Sequence, residues 1–355
     1  MSEYKNVEKP FLEKLRAIGW EVIDHGGGAE HPTDPTISRR TSFNELGVFD
    51  HFREWVGRLN PWASEAQLRK GFDILTTQTG KLIEANKYVF NKLHDGLALV
   101  GERNAVSGDA DPVLKLVDFK HPENNGFLAI NQFQLDTPGM AKSYIVPDIV
   151  CLVNGLPWVV IECKDENVAE PLSDAWEQIR RYSNQRKDPD DSYEQDEGKE
   201  ELFHANLFNV ITRGQEARFG TISGEFDYYY NWQDIFPEKY KTVDTLDGGV
   251  RQEVLIGGMF NHEILLDIIK ASEIKVQIRD MRTRWGSCTP GGTLTYNWRC
   301  ALVPLRVLDY LVVHELTHLE YHRHSREFWS KIASLLPDYE TSVEWLRKNG
   351  IRTEF

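Results

Sequence analysis

The sequence predicts two folded units of different type, a larger α/β unit with a mixed sheet flanked by helices and a smaller α+β unit. Residues 127–163 contain three successive apolar segments with the periodicity of strands. Amphipathic helical patterns at 7–20, 80–99 and 171–186 lie on either side of these segments. Beyond them, short strand-like segments precede a helical pattern at 304–320, which is the element order of a small α+β unit.

Composition and charge exclude several classes of protein. The chain has 355 residues and a formal net charge of −14, which argues against a protein that coats DNA without sequence preference. Residues 270–355 carry a balance of +3, whereas the residues before them carry −17. No apolar run approaches the ~18 residues that span a bilayer, and the N-terminus lacks the apolar core of a signal peptide. We therefore expect a cytoplasmic protein with no membrane partner. The four cysteines include no CxxC pair, so we expect reduced thiols.

A strand pair at residues 147–166, PDIVCLVNGLPWVVIECKDE, carries charged residues among apolar ones. Asn154-Gly155 is a strong signal for a two-residue hairpin turn. Because side chains alternate along a strand, Glu162 and Lys164 point to one face, and the turn brings Asp148 beside it. The sequence therefore predicts that two carboxylates and one amine converge.

This trio follows the PD-(D/E)xK pattern of metal-dependent phosphodiester hydrolysis. Asp148 and Glu162 offer the hard oxygen ligands that Mg²⁺ or Mn²⁺ prefers. Lys164 could stabilise developing phosphoryl charge or hold the attacking water, whose pKa the metal lowers. The alternative is an exposed ion pair between Glu162 and Lys164 on an edge strand, with no catalytic role.

A second constellation lies in VVHELTHLEYHRHS at residues 312–325. His314 and His318 are one helical turn apart in an HExxH motif, a spacing that suits Zn²⁺, and Glu315 can take a proton from zinc-bound water. His324 is the candidate third ligand and His322 a poorer one. The alternative is a pair of surface histidines on an ordinary amphipathic helix.

Several segments accompany the hairpin in a characteristic order. They are VDFKHPENNGFLAINQF before it, a QxxxY helix with Gln178 and Tyr182, LFHANLFNVITRGQEARFGTIS, and finally VLIGGMFNHEILLDIIK. Together with the hairpin they resemble the N-terminal nuclease region of type I restriction endonuclease R subunits, over roughly residues 5–270. The resemblance implies a restriction-endonuclease-like fold and DNA as the substrate.

The same resemblance implies roles for individual residues. Asp148 and Glu162 are the expected metal ligands, and Lys164 is the expected catalytic lysine. Gln178 and Tyr182 are expected to support DNA or the active site. The remaining assignment, a further acidic residue of this nuclease class, falls on Glu8, for which a solvated helix charge is the alternative.

The C-terminal segments resemble a different family. VQIRDMRTRWGSC, GGTLTYNW, VPLRVLDYLVVHELTHL and HSREFW occur in the order found in YgjP-type zinc metallopeptidases. The resemblance implies a zincin-like domain with His314, His318 and His324 as zinc ligands and Glu315 as general base. We assign no chemistry to RWGSC at 284–288 and expect Trp285 and Cys288 to pack under the zinc helix.

These observations predict three segments. Residues 1–237 form the nuclease domain, 238–271 a linker and helix, and 272–355 the metallopeptidase domain. The leading hypothesis is a Mg²⁺-dependent restriction endonuclease joined to a Zn²⁺-dependent peptidase that acts on a peptide or protein. We expect no ATP site, because LTTQTGKL at 75–82 lacks the first Gly and the Ser or Thr of a phosphate-binding loop.

Three alternatives remain open for the function. The zinc site could be the catalytic site of a metallopeptidase, with the nuclease fold used only to target the protein to DNA. The chain could also be a non-catalytic R-subunit remnant that docks on methyltransferase and specificity subunits. Finally, it could be the product of a deletion or a sequence-assembly event.

Overall fold

The chain divides into two units, Met1–Asp267 and Ile268–Phe355. The computed structural model describes residues 3–27, 32–140, 142–185, 197–232, 251–271, 275–281 and 284–349. Of the segment expected to be a linker and helix, residues 238–250 lie outside the described residues, and residues 251–267 belong to the first unit. None of the helices in the described part of the chain has both the length and the apolar character that crossing a membrane requires.

A mixed sheet forms the centre of the first unit. The strands of this unit are β1 (Glu21–Ile23), β2 (Leu97–Ala98), β3 (Val113–Leu114), β4 (Phe127–Asn131), β5 (Leu135–Asp136), β6 (Tyr144–Ile145), β7 (Ile149–Val153), β8 (Leu156–Cys163), β9 (Phe208–Thr212) and β10 (Ala217–Gly220). Six of them form one sheet in the order β1-β4-β7-β8-β9-β10. The β1/β4 and β8/β9 pairs are parallel, and the other three pairs are antiparallel. The mixed sheet expected from the sequence is therefore confirmed.

Helices surround this sheet. They are α1 (Lys9–Ala17), α2 (Phe49–Leu59), α3 (Glu65–Thr76), α4 (Leu82–Asp95), α5 (Pro171–Tyr182), α6 (Arg251–Met259) and α7 (His262–Ala271), and a turn of π-helix at Tyr4–Glu8 directly precedes α1. α5 packs against β8 and β9, and α1 packs against β1 and α6. The predicted helices at 7–20, 80–99 and 171–186 correspond to α1, α4 and α5, whereas α2 and α3 were not predicted.

The β7–β8 hairpin is the centre of the sheet, and every residue of both strands is buried. Its turn, Asn154-Gly155, has positive φ at both positions, +50° and +81°, as a two-residue hairpin turn requires. Asn154 also accepts a hydrogen bond from the Gly126 amide at 2.7 Å and donates one to the Leu116 carbonyl at 2.8 Å. The predicted hairpin is confirmed, and its turn is fixed by tertiary contacts as well as by local preference.

The second unit has a three-stranded sheet and three helices in its described residues. Its elements are β11 (Lys275–Arg279), β12 (Gly286–Cys288), β13 (Thr293–Asn297), α8 (Leu305–Thr317), α9 (Arg326–Leu335) and α10 (Tyr339–Asn349), with strand order β11-β13-β12. Its core contains Leu294, Leu311 and Phe328, and Trp285 and Cys288 pack against this core as the sequence predicts. This unit has the expected α+β composition.

Candidate active sites

The predicted trio meets at the open end of the β7–β8 hairpin. The register pairs Ile149 with Ile161, so Asp148 and Glu162 face each other one step further along. The Cys163 amide donates a hydrogen bond to Asp148 Oδ2 at 2.7 Å. Lys164 Nζ lies 3.0 Å from Glu162 Oε1. Asp148 is 7% exposed and Glu162 is 0% exposed, so this is an interior cluster and not an exposed edge pair.

The two buried carboxylates, Asp148 and Glu162, carry more negative charge than Lys164 can balance. Glu162 Oε2 is buried and accepts no hydrogen bond from the described residues. Burial, and then the charge of Asp148, raise the pKa of Glu162 well above its usual value. Burial likewise raises the pKa of Asp148 to about 6. Two adjacent carboxylates with an unpartnered oxygen fit a divalent cation, because such an ion would supply the missing positive charge.

The negative charges of this site also act on Lys164 and favour its protonated form. Burial alone would lower its pKa, but the negative charges of Glu162 and Asp148 raise it above the usual lysine value. Lys164 Nζ also donates to the Cys163 carbonyl at 3.0 Å. Lys164 is therefore a fixed ammonium group at neutral pH.

Glu8, for which the sequence left a solvated helix charge as the alternative, lies at the same site. It is 2% exposed, and its Oε2 accepts hydrogen bonds from the side-chain amides of Gln132 at 3.1 Å and Asn131 at 3.4 Å. Burial, and then the charge of Asp148, raise the pKa of Glu8 to about 8. Carboxylate oxygens of Glu8, Asp148 and Glu3 lie within 4.8 Å of one another. The sequence did not single out Glu3.

The two residues of the QxxxY motif bond to each other and brace the hairpin. Gln178 Nε2 donates to Tyr182 Oη at 2.5 Å, and Tyr182 Oη donates to the Val146 carbonyl at 3.0 Å, two residues before Asp148. Burial, and then the charges of Glu162 and Asp148, raise the pKa of Tyr182. Tyr182 thus lies close to the two acids, and its hydrogen bond links α5 to the segment before β7 that contains Asp148.

The second unit brings three histidines together. His314 is on the last turn of α8, His318 caps this helix, and His324 precedes α9. One ring nitrogen from each lies within 4.8 Å of the other two, and the Nε2 atoms of His314 and His324 are 3.0 Å apart. His322, the poorer sequence candidate, lines the same cavity of about 380 Å³ but is outside this cluster.

Other contacts orient two of these rings. His314 Nδ1 lies 3.1 Å from Tyr310 Oη, and His318 Nδ1 lies 3.1 Å from the Tyr321 carbonyl. Burial, and then the charges of His318 and His324, lower the pKa of His314 to about 4. Three imidazoles with converging nitrogens fit Zn²⁺, since the outer contact of each oriented ring leaves its other nitrogen for the metal.

Glu315 lies beside the histidines and has the properties of a proton acceptor. It is 6% exposed, and burial raises its pKa to about 7. Gly286 on β12 covers it so closely that a Cβ there would stand 2.5 Å from Glu315 Oε1. The sequence analysis did not identify Gly286 as a residue of this site, although it lies in the RWGSC motif that the C-terminal segments share with the metallopeptidase family.

The family of the chain follows from comparison with known proteins. A family described as the type I restriction enzyme R protein N terminus matches residues 1–228. The chain belongs to this family. A YgjP-like metallopeptidase domain matches residues 261–349. Both resemblances expected from the sequence are confirmed.

Curated relatives of this R-protein family are much longer than the chain. A type I restriction enzyme HindI endonuclease subunit from Haemophilus influenzae is 28% identical over 272 residues, which cover 76% of this chain and 24% of the relative. A putative MjaIXP endonuclease subunit from Methanocaldococcus jannaschii is 21% identical over 277 residues, 74% of this chain and 25% of the relative. The chain thus spans about a quarter of the length of these relatives. Among solved structures, a metallopeptidase zymogen, Pyrococcus abyssi abylysin, matches at 22% identity and a TM-score of 0.21, covering 23% of this chain and 82% of that one.

Proposed function

We propose that the chain hydrolyses DNA phosphodiesters at the hairpin site, and that the first unit has the PD-(D/E)xK nuclease fold. The observation that carries this proposal is the convergence of Asp148, Glu162 and Lys164, with Lys164 Nζ 3.0 Å from Glu162 Oε1 and the Asp148 carboxylate opposite. Membership of the R-protein family supports DNA as the substrate.

In this proposal each residue has a defined task. Asp148 and Glu162 hold Mg²⁺, which when bound would polarise the phosphate and acidify a bound water. Lys164, fixed by Glu162 and the Cys163 carbonyl, stabilises the negative charge that develops on the phosphoryl oxygens. Gln178 and Tyr182 hold the start of β7 and thereby the position of Asp148.

Plasmid cleavage by the full chain with Mg²⁺ tests this proposal. We expect Glu162→Gln and Lys164→Ala to lower the cleavage rate by about 100-fold or more, since each removes a group that acts on the reacting phosphate. Lys70→Ala, which breaks an exposed ion pair with Glu102, is the matched control and should cleave normally. Unchanged cleavage in both site variants would remove the nuclease assignment.

A second activity is favoured by a separate observation, the histidine cluster with Glu315 beside it. We propose that His314, His318 and His324 hold one Zn²⁺ and that Glu315 is the general base for peptide hydrolysis. His318→Ala should lose zinc, whereas Glu315→Gln should keep zinc and lose proteolysis of a casein substrate. A chain that purifies without zinc from zinc-containing buffer would contradict this assignment.

The two assays also separate the remaining interpretations. Zinc-dependent proteolysis without DNA cleavage would favour a peptidase that uses the first unit as a DNA-targeting platform. A chain inactive in both assays that retains methyltransferase and specificity subunits in a pull-down would favour a docking role. We propose these subunits as partners because the chain belongs to the R-protein family.

A further inference from the structure

The third ligand of the proposed zinc site is held differently from the other two. His314 lies on the last turn of α8 and His318 caps this helix, so the helix itself sets their spacing. Contacts of 3.1 Å to Tyr310 Oη and to the Tyr321 carbonyl orient their rings. His324 lies between α8 and α9 and is exposed. In the described part of the chain its Nε2 faces His314, and no hydrogen bond to an outer partner orients its ring.

A tryptophan on α9 supplies the support that His324 does not obtain from hydrogen bonds. Trp329, the last residue of the HSREFW segment, stacks on His324 with ring centroids 5.6 Å apart and ring planes at 21°. Phe328 meets the same imidazole edge-on, with centroids 4.8 Å apart and planes at 82°. Trp329 also approaches His314, but at 61° and therefore not face to face. The stacked contact restricts rotation of the His324 ring, because a rotation would lift it off the indole face.

Trp329 is itself held by a row of stacked rings. Tyr339 on α10 stacks on Trp329, with centroids 5.7 Å apart and planes at 21°. Tyr339 also stacks on Tyr310 of α8, with centroids 6.2 Å apart and planes at 16°. Tyr310 is the residue whose hydroxyl contacts His314. The row therefore begins at one proposed ligand, His324, and returns to another, so that packing fixes the two imidazoles relative to each other.

We propose that Trp329 is a positioning residue of the zinc site, and that its indole face fixes the ring of His324 with Nε2 turned towards the other two histidines. This inference rests on the proposed zinc site and deepens it. An exposed side chain that is already ordered loses less conformational freedom when it takes up the metal, so the affinity for the metal is higher. Trp329 acts through His324 and has no contact of its own with the metal.

The affinity of the full chain for Zn²⁺ tests this proposal without relying on activity. Competition with a chromophoric chelator gives the dissociation constant, in excess Mg²⁺ that keeps Zn²⁺ from the hairpin acids. We expect Trp329→Leu to raise this constant about 10-fold, because leucine is apolar but offers no flat face. Trp329→Phe keeps an aromatic face and should stay within about 2-fold of the wild type. Trp298→Leu is the control, because Trp298 is 46% exposed and lines a separate cavity of the same unit.

A double-mutant cycle separates the positioning of His324 from general support of the unit. In a His324→Ala chain Trp329 has no third ligand to position, so adding Trp329→Leu should change the constant by less than about 2-fold. A general packing role would give the same loss in both backgrounds. The absorption spectrum of bound Co²⁺ is a second signature. In Trp329→Leu it should move towards the spectrum of His324→Ala, because both chains lack a fixed third imidazole.

Two outcomes would overturn the role of Trp329. One is a Trp329→Leu chain that binds Zn²⁺ as tightly as the wild type, and the other is a loss of the same size with and without His324. Trp329→Met, whose flexible side chain fills irregular space, repeats the measurement if Trp329→Leu does not fold. Neither outcome affects the proposed zinc site, which fails instead if the wild-type chain binds no Zn²⁺.

Discussion

The two candidate sites each use a buried glutamate, and their surroundings give them different chemistry. Glu162 faces a second acid and pairs with Lys164, so it suits cation binding. For Glu315, burial raises the pKa to about 7 although the charge of Arg284 lowers it, and this is close to the value at which a general base is most effective. Residue type and spacing predicted both acids. They could not predict Gly286, because its role depends on a contact between β12 and α8.

At this residue scale, Gly286→Ala tests how closely Glu315 is positioned. A Cβ would stand 2.5 Å from Glu315 Oε1 and 2.7 Å from its Cγ, so the carboxylate has to move. Since the histidines are untouched, zinc content should stay at the wild-type level while proteolysis falls by about 100-fold. Gly291→Ala, where the nearest atom is 4.0 Å from the new Cβ, is the control. Equal proteolysis in both variants would show that Glu315 needs no such restraint.

At the element scale, local signals predicted the strands better than some helices. Apolar segments and the Asn154-Gly155 turn predicted the β7–β8 hairpin within residues 147–166, although β7 begins only at Ile149. α3 carries a capping box between Ser64 and Gln67, so its start was readable from the sequence but was missed. α2 has no side-chain cap at Val48, whose amide instead donates to the distant Gly155 carbonyl at 2.9 Å. Such contacts join residues that are far apart in the sequence, so the local sequence pattern cannot predict them.

The same contact makes the hairpin turn sensitive to substitution. In Gly155→Ala the residue would keep φ near +81°, and its Cβ would meet the Val48 carbonyl at 2.5 Å and the Phe52 amide nitrogen at 2.6 Å. Backbone strain plus these clashes should lower the free energy of unfolding by about 2 kcal/mol or more. Gly101→Ala has a similar φ of +82° with no neighbour within 4 Å, and should cost only about 1 kcal/mol.

Urea denaturation of the full chain, followed by circular dichroism, measures both costs. The difference between the two variants isolates the steric contribution, because the backbone strain is common to them. If Gly155→Ala costs no more than Gly101→Ala, the packing of the turn against α2 contributes nothing to stability.

At the scale of the whole molecule, each candidate site lies within one unit. The hairpin acids and Glu3 belong to Met1–Asp267, and the histidine cluster belongs to Ile268–Phe355. Each unit also has its own apolar core. From two resemblances and a change in charge sign, the sequence predicts the segments 1–237, 238–271 and 272–355, whereas the first compact unit of the structure ends at Asp267. The two proposed activities should therefore be lost independently in the site variants.

The stability of the molecule should also depend on pH through His51, a buried residue of α2. His51 is 1% exposed, and burial, and then the charge of Arg39, lower its pKa from 6.5 to about 4. Between these values the unfolded chain binds a proton that the folded chain does not. Stability is therefore fully present above pH 6.5 and is lost as the pH falls towards 4. The loss from this one group should reach about 3 kcal/mol.

His51→Phe isolates this contribution, because phenylalanine keeps a flat ring and does not titrate. Urea unfolding of both proteins at pH 7.5 gives the packing effect of the substitution, which does not change with pH. At pH 4.5 the variant should be more stable, relative to the wild type, by most of the 3 kcal/mol beyond that packing effect. A stability difference that is the same at both pH values would mean that His51 takes up its proton equally in the folded and unfolded chain, and that its burial does not resist protonation.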